Sequence, residues 1–110
     1  MSLIQLTLKN QQDKKIKDLF LEINTKTKFI DVINKSQNIL GNQLIINPNK
    51  MIINNDLYFD FKDQNILDFI SENNIDYHEL DDLEFTMFVD INIPNLLTHS
   101  YLSQLLKKHI

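Results

Sequence analysis

Cysteine, arginine and alanine are missing from this chain of 110 residues, and glycine occurs only once. Without cysteine there are no disulfides, no thiolate nucleophile and no cysteine-ligated metal. Without arginine there is no guanidinium fork to grip a phosphate or a guanine edge at two points. The lone glycine, Gly41, stands just past a helical run, so none is left for a phosphate-cradling loop. P-loop and dinucleotide-binding readings therefore fall away. No apolar run approaches the ~18 residues that a membrane span requires, so membrane insertion is not expected. The opening stretch SLIQLTLKN alternates apolar and polar residues, where a secretory signal has a continuous apolar block behind positive charge. The chain is thus read as not secreted, and as intracellular, in the cytoplasm rather than an organelle.

What is present suits one folded domain. The chain is 43% hydrophobic and 24% charged, ordinary values for a globular protein. A domain of this size buries roughly two-thirds of its unfolded surface. Isoleucine (16) and asparagine (14) are abundant, most simply through AT-rich codon usage. Charge is uneven. Residues 1–55 hold eight lysines against four acids, and residues 56–110 hold three against eleven, for a net −4. The acidic second half repels nucleic acid and anionic membrane, so no nucleic-acid partner is expected. The lysine cluster Lys9, Lys14, Lys15 and Lys17 in KNQQDKKIK reads as the solvated rim of a hairpin, with contact to an acidic partner as the alternative.

Along the chain, LIQLTL (3–8) alternates with period two, placing Ile4, Leu6 and Leu8 on one side. IKDLFLEI (16–23) supplies Leu19, Leu21 and Ile23 to one face, and the polar connection between the two runs predicts a β-hairpin. TKFIDVINKSQNILG (27–41) predicts a helix. Thr25 or Thr27 is the expected N-cap, the apolar spacing runs through Phe29, Ile30, Ile33, Gln37 and Leu40, and Gly41 closes the end. QLII and MIIN are two short β-rich runs around an Asn-Pro-Asn turn. NDLYFDFKDQ (55–64) is an extra strand or an ordered loop. NILDFISENNI (65–75) is two helical turns capped by Asn65. Asp81 and Asp82 turn the chain into a strand whose core side is Leu83, Phe85, Met87 and Val89. NLLTHSYLSQLLKKHI (95–110) predicts a last, amphipathic helix.

This order resembles the ubiquitin-like β-grasp over about residues 2–91. The carriers are the hairpin with LFLEI (19–23), the helix closed by Gly41, QLII (43–46), NILDFISENNI before the last strand, and DDLEFTMFV (81–89) as that strand. The resemblance implies an α+β domain over residues 1–92, a mixed sheet of four or five strands packed on one helix, with a helical extension over 93–110. Three features depart from the family. Residues 54–64 exceed the usual connection. The Gly-Gly terminus of conjugated modifiers is absent, and twenty residues ending KKHI stand in its place. The family's apolar recognition patch transfers only in part: Ile45 matches its central isoleucine, but Thr86 occupies the neighbouring position of the last strand.

Catalytic and metal chemistry find no pattern here. His78, His99 and His109 lack HxxxH or HExxH spacing. Asp56, Asp60, Asp63 and Asp68 lack the register of a calcium loop. The serines have no elbow motif beside them. No cofactor and no enzymatic activity are expected. Apolar surface is the remaining resource. Leu57, Phe59 and Phe61 alternate together with Tyr58 opposite, either packing on the domain's own core or anchoring a partner. Leu97, Tyr101 and Leu105 form one stripe of the last helix, and Leu102, Leu106 and Ile110 the next. Burying each is worth about 1.5–3 kcal/mol, so this face is expected to fold back on the sheet or enter a partner. The expected function is a non-catalytic protein–protein interaction module or accessory subunit of a larger assembly. Its contacts would come from Leu44, Ile45, Tyr58, Phe59, Phe61, Leu97, Tyr101 and Leu105. The alternatives are a modifier conjugated after processing and a lysine-rich hairpin binding an acidic partner.

Overall fold

The computed structural model describes residues 2–91. The predicted helix over 95–110, with Leu97, Tyr101 and Leu105, lies outside the described residues. Within them the chain is an α+β domain. Strands β1 (Ser2–Lys9) and β2 (Lys15–Ile23) precede helix α1 (Phe29–Leu40). Strands β3 (Leu44–Ile53) and β4 (Asp56–Phe59) come next, then helix α2 (Ile66–Glu72), a 3₁₀ turn at Leu80–Asp82, and β5 (Glu84–Ile91). The five strands form one mixed sheet in the order β2-β1-β5-β3-β4. β5 runs parallel to β1 and antiparallel to β3, so the last strand is the central one.

The alternation in the sequence decides which side of the sheet is dry. Ile4, Leu6 and Leu8 of β1, Leu19, Leu21 and Ile23 of β2, and Phe85, Met87 and Val89 of β5 are all buried in one cluster, as the period-two pattern requires. The helices cover that side. α1 contributes Phe29, Val32, Ile33 and Ser36, and α2 contributes Ile66, Phe69 and Ile70. At the centre Phe29 meets Phe61 and Phe69 edge-on, with centroids 5.3 and 5.2 Å apart. Such pairs add about 0.5–1.5 kcal/mol each beyond their buried area.

The ends of α1 depart from expectation at one terminus and meet it at the other. No threonine caps the start; the N-cap is Lys28. Thr27 Oγ1 instead accepts from the Asn24 amide at 2.9 Å, closing the turn that precedes the helix. The orphan N–H groups of Phe29 and Ile30 donate to the carbonyls of Gln64 and Lys62, at 3.1 and 2.8 Å. Asp31 accepts from the Lys28 amide at 2.9 Å. A loop remote in sequence thus does what a hydroxyl was expected to do. At the other end Gly41 has φ +81° and ψ −153°, a conformation close to exclusive to glycine. A β carbon there would meet nothing within 4 Å, so the requirement is one of backbone angle, not space.

β3 also differs from the two short runs expected. It is a single strand from Leu44 to Ile53, interrupted by a register shift between Ile46 and Met51. Ile46 faces Val89 and Met51 faces Met87, so Asn47-Pro48-Asn49-Lys50 bulges against the single residue Phe88. A bulge is where a strand tolerates proline, which has no N–H for the ladder. β3 and β4 are joined by Asn54-Asn55, both with positive φ (49° and 71°). Two such residues make the type I′ turn that matches the twist of a hairpin. Asn65 caps α2 as expected, accepting from the Asp68 amide at 3.1 Å.

Candidate docking face

The side of the sheet opposite the helices carries the second set of alternating residues. One row crosses all five strands: Asp18, Thr7, Thr86, Ile52 and Leu57 are successive register partners from β2 to β4. Its composition is graded. On the β2–β1 side Thr7 Oγ1 donates to Asp18 Oδ1 at 2.8 Å, and this half is polar around the exposed Phe20 and Leu3. On the β3–β4 side Ile52 is half-buried, while Leu57 is 48% and Phe59 59% exposed. Ile45, 45% exposed, lies toward the far end of β3 beside Asp90. Lys50 pairs with Phe59 across the ladder and lays its ammonium 4.3 Å from the Phe88 ring centroid. Phe88 is buried although it stands outside the main core cluster, and the Lys50 ammonium makes a cation–π contact with its ring.

The residues expected at a partner surface therefore divide. Ile45 and Phe59 are exposed on this face. Leu44 is half-buried and packs against the core, and Tyr58 does likewise, its ring 5.2 Å edge-on from Phe69. Phe61 corrects the expectation that it groups with Leu57 and Phe59. It is fully buried against Phe29. The physical reason is Asp60, whose φ of +55° breaks the alternation after β4 and turns the next side chain to the other side of the sheet. Phe20, 67% exposed, was not singled out from the sequence. The alternation that assigned Leu19 and Leu21 inward places Phe20 outward, so the signal was present.

The lysine-rich hairpin is partly neutralised from within. Lys15 Nζ sits 2.9 Å from Asp18 and Lys9 Nζ 3.3 Å from Asp13. The Lys15 ammonium, with the Thr7 hydroxyl, holds the Asp18 carboxyl below its usual range. Lys14 and Lys17 remain exposed. One carboxylate group, Glu79, Asp81 and Asp82, has its oxygens within 4.8 Å of one another at the turn before β5, fully exposed. Exposed acids in a turn commonly arrange themselves this way without an ion. The clefts among the described residues are shallow. One, about 440 Å³, is bounded by Asn24, Lys26, Thr27, Asp31, Asn34 and Lys35. It brings together no nucleophile with a base and no pair of interacting carboxylates. No helix among the described residues is long and apolar enough to cross a membrane.

No protein-family model matches this chain, and no curated protein matches it.

Proposed function

We propose that this chain is a ubiquitin-like β-grasp domain that serves as a non-catalytic protein–protein interaction module, or as an accessory subunit of a larger assembly. The β-grasp assignment draws support from the mixed sheet with β5 central and parallel to β1, and from α1 packed across one side. The observation that carries the functional reading is the apolar band Ile45, Ile52, Leu57 and Phe59, standing outward on β3 and β4 beside a half that is polar around Phe20 and Leu3. Burial of four such side chains is worth about 5–10 kcal/mol gross. Association consumes at least about 4 kcal/mol of it. The band alone therefore supports contacts no tighter than tens of micromolar, suited to a module that assembles through several weak surfaces.

The test is affinity capture with the full chain against Ile45→Asp/Phe59→Asp. Both positions are exposed, so the fold is expected to survive, and circular dichroism and the thermal midpoint check that it does. The expected outcome is loss of specific partners from a folded variant. Identical partner sets for the two proteins would remove the band from any role in recognition.

A further inference from the structure

The two edges of the sheet are finished differently. On the β3–β4 side the side chain of Gln37 closes the first half of β3. β4 extends the sheet there by only four residues before Asp60 turns the chain away. On the other side β2 is nine residues long and, among the described residues, has no neighbour beyond β1. Natural edges are blunted by lysines, prolines and bulges. β2 carries such devices at its start, where Lys15 and Lys17 flank a bulge at Ile16. From Asp18 to Ile23 it has no lysine, proline or bulge. Phe20, 67% exposed, stands in the middle of that bare stretch. We propose that a second copy of this chain occupies it, β2 pairing antiparallel with β2 across a two-fold axis at Phe20.

The stretch is complementary to itself in one register. A two-fold axis perpendicular to the sheet keeps the outward side chains of both copies on one side, so Asp18, Phe20 and Glu22 can only meet one another. With the axis at Phe20, ring meets ring on the outward side, and Leu19 meets Leu21 of the second copy on the core side. Asp18 then faces Glu22 of the second copy, and the cation they need is already in place. The bulge at Ile16 sets Lys15 opposite Lys9, on the side of Asp18, with its ammonium 2.9 Å from that carboxylate. Diagonal neighbours across an antiparallel pair are within reach of a long side chain, so Lys15 is shared between Asp18 and the incoming Glu22. Moving the axis to Leu19 or to Leu21 sets Phe20 against Asp18 or Glu22, a ring against a carboxylate.

The contact is small. Edge pairing from Asp18 to Glu22 falls in the class below about 1,200 Å² that sustains transient association. It joins two five-stranded sheets into one, with both apolar bands on the same side and at opposite ends. That this arrangement grips an extended or repeated partner at two points rests on the reading of the band as a docking surface.

Sedimentation equilibrium of the full chain, from about 20 μM to about 1 mM, spans the range of a transient contact. The parent chain is expected to pass from monomer towards dimer across it. Phe20→Lys and Phe20→Glu each put like charges on the axis, and each should weaken the dimer by about tenfold or more, with an unchanged circular dichroism spectrum. A residue on a two-fold axis faces its own copy. An equimolar mixture of the two variants therefore sets lysine against glutamate, and should associate about tenfold or more tightly than either alone. A parent chain that stays monomeric throughout would overturn the proposal. So would a mixture no tighter than its components, because the contact would then lie elsewhere. Dimers abolished by Ile45→Asp/Phe59→Asp but kept by Phe20→Lys would assign the second copy to the open face and overturn it too. The outcome is separable from the capture experiment. A monomeric parent chain whose partners are lost with Ile45→Asp/Phe59→Asp removes the dimer and leaves the module. A dimer broken by Phe20→Lys, with partners unchanged by the band variant, does the reverse.

Discussion

Replacing Gln37 tests whether a side-chain amide completes the sheet where a strand is missing. β4 pairs only with residues 50–53 of β3, leaving the first half of β3 without a neighbour on that side. Gln37 of α1 fills the gap. Its Nε2 donates to the Leu44 carbonyl at 2.6 Å and to the Gly41 carbonyl at 2.8 Å, and its Oε1 accepts from the Ile46 amide at 3.0 Å. The Leu44 carbonyl and Ile46 N–H are the two groups that a neighbouring strand would have used, so one side chain imitates one peptide unit. Gln37→Ala leaves both unpaired in a partly buried place. With each satisfied bond worth about 0.5–1.5 kcal/mol net, and each stranded group costing about 1–3, water access to part of the site sets the expected loss near 2–3 kcal/mol. Urea unfolding followed by far-ultraviolet circular dichroism reads this directly. For a domain of this size the midpoint temperature should fall by about 8–20 °C. Gln37→Glu sharpens the test. Its ionised carboxylate still accepts from Ile46 but faces the Leu44 and Gly41 carbonyls with no proton to donate. That environment raises the folded pKa above the unfolded value of about 4.3. The contribution of the introduced carboxyl's proton is therefore present below the unfolded pKa and lost as pH rises through the folded one. Relative to the parent chain, the Glu variant should be deficient at pH 7 and recover near pH 4, while the Ala variant stays equally deficient at both. A Gln37→Ala loss under 0.5 kcal/mol, or a Glu variant with no recovery in acid, would refute the reasoning.

Three further outcomes follow from individual contacts. Phe61→Ala should cost about 3–5 kcal/mol and Phe59→Ala less than about 0.5 in the same urea assay, although the two residues are neighbours in the alternating run; similar losses would mean that both are buried or both free. Ser36 is fully buried on α1 with its hydroxyl lacking a hydrogen-bond partner, so Ser36→Ala should stabilise the domain by about 1 kcal/mol through removal of that group and a better helix former. The Asp18 carboxyl, held below its usual range first by Lys15 and then by Thr7, contributes stability that is present above its unfolded pKa and lost as pH falls through the folded value. In a carbon-detected NMR titration Thr7→Val should raise the Asp18 midpoint, and an unmoved midpoint would show that the hydroxyl contributes nothing.

Much of this architecture was legible wherever a pattern extended over several residues with one environment on each side. The hairpin, the helix closed by Gly41 and the Asn65 cap all follow from alternation or from end signals a few residues long, whereas the central placement of β5 was implied only by the resemblance to the β-grasp. The misses share a cause: each turns on a partner distant in the chain. Thr27 reads as a helix cap, but the carbonyls of Lys62 and Gln64 occupy that place, more than thirty residues away. The buried stripe of α1 runs through Val32 and Ser36 instead of Ile30 and Gln37, because Gln37 is recruited by the edge of β3. Asn47-Pro48-Asn49 reads as a turn between strands, and pairing with β5 on both sides of it makes it a bulge within one. The candidate docking face was half visible. Phe59 came from the strand pattern and Ile45 from the resemblance, whereas Phe61 was lost to a single positive φ at Asp60, which no local composition announces.

Among the described residues six backbones have positive φ, and only Gly41 is a glycine; Asp13, Asn54, Asn55, Asp60 and Asn74 hold the others. Each of those five carries a β carbon and a short polar group that tolerates the left-handed region. The denatured chain is correspondingly less free to wander at its bends, since a glycine there forfeits about 0.5–1 kcal/mol more on folding than a residue with a side chain. Asparagine abundance, whatever its origin in codon usage, thus lets a chain nearly devoid of glycine turn its corners while entering the folded state from a narrower ensemble.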